Sequence, residues 1–276
     1  TNMKPETEFT VTGTLMDRTT KKAVVDADGK EVTSTVKFTT PAAAEGEKTV
    51  SGEVKVVFEF NASSLKNHTV VAFEKMWRND LDTDVLMWQH EDYNDKEQTV
   101  HFPEGKTTIK DNDTGNHITS EVLKEITLVD HVYYSNLLPG KEYTVNGTLM
   151  DKETGKPLVD KDGKKVIAST TFTAPAAEDG KDSVSGVVDV TFKFKGGDYL
   201  VAFETCQYKG KDVFVHEEIE DAPQTTYVPD GHTTFVDNAT KDHIAGITEK
   251  MSLTDTVYYE NLKSGETYKV TGVLMD

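Results

Sequence analysis

A long internal repeat constrains this chain more than any other feature. Gln98 and Gln224 stand 126 residues apart, as do Thr107 and Thr233, and Asp130 and Asp255 are 125 apart within Leu-Val-Asp-His-Val-Tyr-Tyr and Leu-Thr-Asp-Thr-Val-Tyr-Tyr. A period of that size is a domain, not a single supersecondary unit. A Gly-x-Leu-Met-Asp segment occurs three times, at Gly13, Gly147 and Gly272, whereas the run from His90 to Gln98, matched from His216 to Gln224, occurs twice. The 276 residues are therefore expected to hold the C-terminal part of a first module (residues 1–104), one complete module (105–229) and the N-terminal part of a third (230–276), as in a segment of a longer array.

The local pattern is strand and turn. Val50, Gly52, Val54, Val56, Phe58 and Phe60 alternate with polar neighbours, and Val184, Gly186, Val188, Val190, Phe192 and Phe194 repeat the alternation 134 residues later. Period-two alternation marks half-buried strands. Asp26-Ala-Asp28-Gly29 and Asp160-Lys-Asp162-Gly163 lie between such runs, where Asp-Gly supplies the backbone angle of a tight hairpin. A calcium loop is disfavoured, because Phe38 stands near the place of the bidentate glutamate. Seven to nine short strands per module give an all-β chain of tandem Ig-like sandwiches.

Composition excludes several functions. A formal charge of −18 leaves no basic face for a nucleic-acid backbone or an anionic membrane. No apolar run is long enough to span a bilayer and no charged-then-apolar segment opens the sequence, so any secretion or anchoring signal is expected to lie outside residues 1–276. Cys206 is the one cysteine, so neither an intrachain disulfide nor a thiolate metal cluster can form, and it reads as a small buried hydrophobe.

The chemistry lies in the repeated polar residues. Each His–Gln run follows Val-Ala-Phe-Glu, ending at Glu74 and Glu204, and nine residues past each glutamine comes a threonine pair, Thr107-Thr108 and Thr233-Thr234. Taken singly these residues are surface positions, caps or strand filler. Recurring in one order, they form a constellation of acid, base, amide and hydroxyl.

That constellation, with Asp-His-Val-Tyr-Tyr in the complete module, resembles the VaFE repeats of Gram-positive surface adhesins across essentially the whole chain. The resemblance implies an intramolecular ester bond in each Ig-like domain, between a threonine on the first strand and a glutamine on the last. Carried onto this sequence it joins Thr107 to Gln224, with Asp130, Glu204 and His216 assisting, and gives Glu74, His90, Gln98, Thr233 and Asp255 as partial-module equivalents. It implies an extracellular, cell-wall-anchored stalk segment with its host ligand bound elsewhere. The chain departs from the pattern at Ala222-Pro223, where the first copy has Lys96-Glu97, and at the isoleucine after Thr108.

Those residue types suit the reaction. An amide is a poor electrophile and a hydroxyl a poor nucleophile, so both need activation and close placement. His216 is the expected base for the Thr107 proton. Asp130 and Glu204, if buried together, cannot both ionise, and the retained proton would serve the Gln224 carbonyl. Tyr133, Tyr134, Phe203 and Phe214 are candidates for excluding water. Thr107 and Thr108 must point to opposite faces of a strand, and alternation alone does not say which faces inward. The reaction is a single turnover, not enzymatic turnover, and requires no cofactor or metal.

Other expectations follow from other residues. A pilin-like domain locked by a Lys–Asn isopeptide bond would resist alkali and hydroxylamine. A carbohydrate- or protein-binding sandwich would display aromatic platforms such as Trp77 or Trp88. The complementary partial modules also allow head-to-tail self-association, with Thr233 of one copy meeting Gln98 of another.

Overall fold

The computed structural model describes residues 1–119 and 125–275. They form two compact units. One comprises Thr1–Glu104, Tyr134–Lys141 and Thr173–Gly186, and the other Gly105–Tyr133, Glu142–Phe172 and Val187–Asp276.

In the first repeat, β1 (Glu8–Asp17), β2 (Thr33–Thr39), β3 (Thr69–Arg78), β4 (Val85–His90) and β5 (Thr99–His101) form an antiparallel sheet ordered β2-β1-β3-β4, with β5 also on β3. The middle repeat supplies β6 (Glu104–Asp111), β7 (Ile126–Leu137), β8 (Glu142–Asp151), β9 (Lys156–Pro157), β10 (Ile167–Thr173), β11 (Val184–Phe194), β12 (Tyr199–Tyr208), β13 (Lys211–His216) and β14 (Thr225–Tyr227). One sheet runs β10-β8-β12-β13, with β9 on β8 and β14 on β12, and a second runs β11-β7-β6. The third repeat supplies a separate hairpin of β15 (Asp230–Asp237) and β16 (Leu253–Glu260).

Alternation explains how these strands pack. On β8 the side of Tyr143, Val145, Gly147 and Leu149 is buried. A Cβ at Gly147 would come within 2.5 Å of the Phe192 ring on β11, so the two sheets of the middle repeat face each other across a close-packed core. In the first repeat Leu15, Val24, Val32, Leu65 and Val70 form a core against which Phe58, Phe60 and Phe102 pack. The Asp-Gly segments are turns. Asp26 Oδ1 accepts the amides of Asp28 and Lys30, Asp160 Oδ1 accepts those of Asp162 and Lys164, and Gly29 and Gly163 take positive φ.

Two expected strands do not form. Residues 51–60 are not a strand, although Val54, Val56, Phe58 and Phe60 stay half-buried on one side. Their counterpart β11 is hydrogen-bonded to β7, whereas the bridge between Val50 and Met3 is the pairing found at this segment among the described residues. The apolar face thus packs, with Phe58 against Gly13 as Phe192 lies against Gly147, but a ladder also needs a neighbouring backbone. The segment around Gly272 is also unpaired and exposed. Its counterparts β1 and β8 each lie between two partner strands, which this segment lacks among the described residues.

The same glycine should therefore tolerate a side chain in one repeat and not in another. Gly147→Val should destabilise by about 1–3 kcal/mol through overpacking against Phe192. Gly272→Val, with nothing within 4 Å, should leave the unfolding midpoint unchanged in urea titrations of the two variants.

Candidate functional site: a buried carboxyl pair between threonine and glutamine

Strand alternation puts three polar side chains where apolar ones belong. On β6 Thr107 shares the inward side with Ile109, on β7 Asp130 lies between the inward Leu128 and Val132, and on β12 Glu204 lies between Ala202 and Cys206. Gln224 ends the 3-10 turn Ala222–Gln224 that leads into β14. Asp130 and Gln224 are 0 % exposed and Glu204 1 %, although all three are polar or ionisable.

These residues meet. Thr107 Oγ1 donates to Glu204 Oε2 at 3.1 Å, and Gln224 Nε2 donates to Asp130 Oδ1 at 3.1 Å. Alternation also separates the two threonines. Thr107 is buried in the site, while the Thr108 hydroxyl, on the other side of β6, donates to the Pro223 carbonyl at 3.3 Å. The turn itself is fixed by the Gln224 amide on Asp221 O and by Thr225 Oγ1, which donates to Asp221 O and accepts from Lys152 Nζ.

The two carboxyls lie beside each other in the core. Burial raises both of them, and Glu204 is raised further by the charge of Asp130, whereas Asp130 is partly restored by its bond to Glu204 and by the charges of His131 and His216. Asp130 Oδ2 and Glu204 Oε1 have no hydrogen-bond donor among the described residues, and two neighbouring acceptors can be joined only through a proton. The pair therefore holds one proton at neutral pH. Gln224 Oε1 is also buried without a donor, a deficit that typically costs about 1–3 kcal/mol.

His216 is near the pair but not on Thr107. It stands opposite Glu204 in the β12–β13 ladder, and its Nε2 is hydrogen-bonded to Asp221 Oδ2 at 2.7 Å. Asp221 was not singled out from the sequence, although His-x4-Asp recurs. His90 and Asp95 repeat the spacing, and His90 Nε2 lies 2.9 Å from Asp95 Oδ2.

Phe214 covers the start of β6, where a Cβ on Gly105 would fall 2.1 Å from its ring. Tyr134 is buried, but Tyr133 is 51 % exposed and does not shield the site, because adjacent residues on β7 face opposite ways. Cys206 is fully buried, and burial pushes its thiol up to about 12.

The partial-module residues hold parts of this arrangement. Glu74 stands opposite His90 in the β3–β4 ladder, burial raises its carboxyl, and its Oε2 has no partner among the described residues. Gln98 is half-buried at a groove of about 350 Å³ shared with Phe58, Phe60, Val70 and Glu74. Thr233 and Asp255 are exposed on β15 and β16.

The middle repeat is thus a two-sheet β module with a threonine hydroxyl and a glutamine amide on opposite sides of a buried carboxyl pair. A family model described as a T-Q ester bond containing domain matches residues 1–102, 103–228 and 230–276, so the chain belongs to that family. Two solved structures are similar to it, both of a bacterial adhesin from Mobiluncus mulieris containing intramolecular disulfide, isopeptide and ester bond cross-links, in space groups P1 and P21. Each is 14 % identical, with a TM-score of 0.33, covering 58 % of this chain and 74 % of that chain. No curated protein matches.

The raised carboxyls link stability to pH. The folded chain keeps a proton that the unfolded chain releases, so the stabilisation is complete below the ordinary carboxylate range and is lost as pH rises through the Glu204 value into the alkaline range. In Thr107→Ala, the urea midpoint should fall from mildly acid to mildly alkaline buffer. Adding Glu204→Gln should flatten that dependence, and an unchanged slope would count against the shared proton.

Proposed function

We propose that this chain is a structural stalk segment of a bacterial surface adhesin, and that its middle module locks itself with an ester between the Thr107 hydroxyl and the Gln224 side chain. The observation that carries the reading is that both reacting side chains bond to one buried carboxyl pair, Thr107 on Glu204 and Gln224 on Asp130. Family membership supports the same pairing of residue types.

The chemistry balances without a cofactor. Thr107 Oγ1 attacks the Gln224 side-chain carbonyl carbon as its proton passes to Glu204 Oε2. Glu204 hands its own proton to Asp130, which supplies one to the Gln224 nitrogen as the C–N bond breaks. Ammonia leaves, the ester remains, and the pair returns to its one-proton state. His216, bonded to Asp221, favours ionised Asp130 by its charge and so acts on the pair, not as a direct base on Thr107. The dry core strengthens these bonds and keeps water from the product.

The consequence is mechanical. The ester would join β6, the first strand of the middle module, to the turn before β14, its last, so tension would bypass the hydrogen-bonded ladders between them. By the chain-entropy argument used for disulfides, closing a loop of this length stabilises by about 4–5 kcal/mol. The product stays attached, so the module is not a turnover enzyme. A charge of −18 suits an extended, soluble segment outside the cell, held on a Gram-positive wall.

Intact mass spectrometry tests this directly. The purified chain should weigh one ammonia less than its sequence, Thr107→Ala should restore the full mass, and Thr108→Ala should not. Hydroxylamine should open the crosslink, which an isopeptide would survive. A wild-type chain at full sequence mass would overturn the reading. His216→Ala should slow formation by a factor on the order of 10² without abolishing it, followed by mass during expression.

A further inference from the structure

The first repeat carries a groove on the outer face of its sheet. On the face of β1 turned away from Gly13 and Leu15, an open groove of about 510 Å³ is lined by Glu8, Thr10, Lys37, Trp77, Asn79 and Asp84, among others. Lys37, Thr10 and Trp77 form one cross-strand row over β2, β1 and β3, with Trp77 half-buried. Asn79 and Asp84 come from the β3–β4 hairpin. From glutamate to histidine this hairpin region spans 17 residues in the first copy and 13 in the second.

The longer hairpin is held in place. The Asn79 amide donates to Glu8 O at 3.1 Å, its side-chain nitrogen donates to Asp84 Oδ1 at 2.8 Å, and its side-chain oxygen accepts from Thr10 Oγ1 at 2.6 Å. Arg78 and Lys4 both bond Asp80 at the tip. The rim is therefore organised before any ligand arrives.

The same face of the middle repeat is closed on itself. Gln207 takes the place of Trp77 and donates to Asp212 at 2.8 Å, Ser169 donates to Asn146 at 2.9 Å, and Thr144 and Thr171 share a hydrogen bond. In the first repeat a flat indole replaces the amide, and the Glu8 and Lys37 side chains have no hydrogen-bond partner among the described residues.

We propose that this groove binds a neutral carbohydrate, with one pyranose ring lying on the Trp77 indole. The C–H face of a sugar packs on an aromatic plane, while its ring hydroxyls require donors and acceptors of both kinds around that plane. Lys37 donates, Glu8 and Asp84 accept, and the aromatic surface lies between them. Two carboxylates against one ammonium, on a chain of charge −18, exclude an acidic sugar.

The test uses the ¹⁵N-labelled chain and the indole N–H resonances of its two tryptophans, assigned with Trp88→Phe. The probes are lactose, cellobiose and maltose, with sialyllactose as the acidic counterpart. At least one neutral disaccharide at millimolar concentration should shift the Trp77 resonance saturably and leave Trp88 in place. In Trp77→Ala, the backbone amide resonances of Thr10 and Lys37, which shift saturably with the same sugar in the unsubstituted chain, should no longer move. Asp84→Asn and Lys37→Ala, which leave the sheet intact, should each weaken binding by roughly three- to tenfold, the effect of losing one polar contact. No saturable shift with any of the three neutral sugars would overturn the proposal, and so would tighter binding of sialyllactose.

Discussion

Two carboxyl groups that cannot both carry charge govern the middle repeat. Asp130 and Glu204 occupy inward positions on facing sheets, where an apolar residue would cost nothing, and burial without a shared proton would be far more expensive than the fold could offset. The strands must therefore bring the two within hydrogen-bond reach, which sets how β7 lies over β12. Thr107 and Gln224 then satisfy the outer oxygens, so hydroxyl, amide and acid pair come to one place as a single packing requirement. Charge burial is here the device that assembles the chemistry.

The repeat period and the alternation of apolar residues made the architecture legible before any coordinates, because side-chain periodicity reports directly which face of a strand is buried. What alternation does not report is whether a partner strand is present. Residues 51–60 and the segment around Gly272 carry the same patterns as β11 and β8 yet form no ladder, since hydrogen bonding depends on a neighbour that lies elsewhere in the chain. The site was legible in its membership and less so in its wiring. Recurrence picked out Thr107, Asp130, Glu204, His216 and Gln224, while which of Thr107 and Thr108 faces the carboxyl pair depends on which side of β6 meets β12. Asp221 was hidden in an acidic run where every residue looks like solvated surface, and only the five-residue step shared with His90 and Asp95 distinguishes it.

The repeats share a scaffold and diverge at its hairpins. The β12–β13 hairpin turns tightly at Lys209-Gly210, both at positive φ, and the polar residues beside it bond to one another. The β3–β4 hairpin is longer, with Leu86, Met87 and Trp88 all exposed along β4 and Trp77 towards the groove. A sheet that already supplies its own stability lets such a tip change length without disturbing the strands beneath.

Cys206, sealed inside β12 and held as a thiol, gives thiol reagents nothing to attack in the folded middle repeat. With no cystine to open, the covalent connectivity of the chain does not depend on the redox potential around it. The folded chain can therefore pass between reducing and oxidising surroundings without a change of bonds at sulfur.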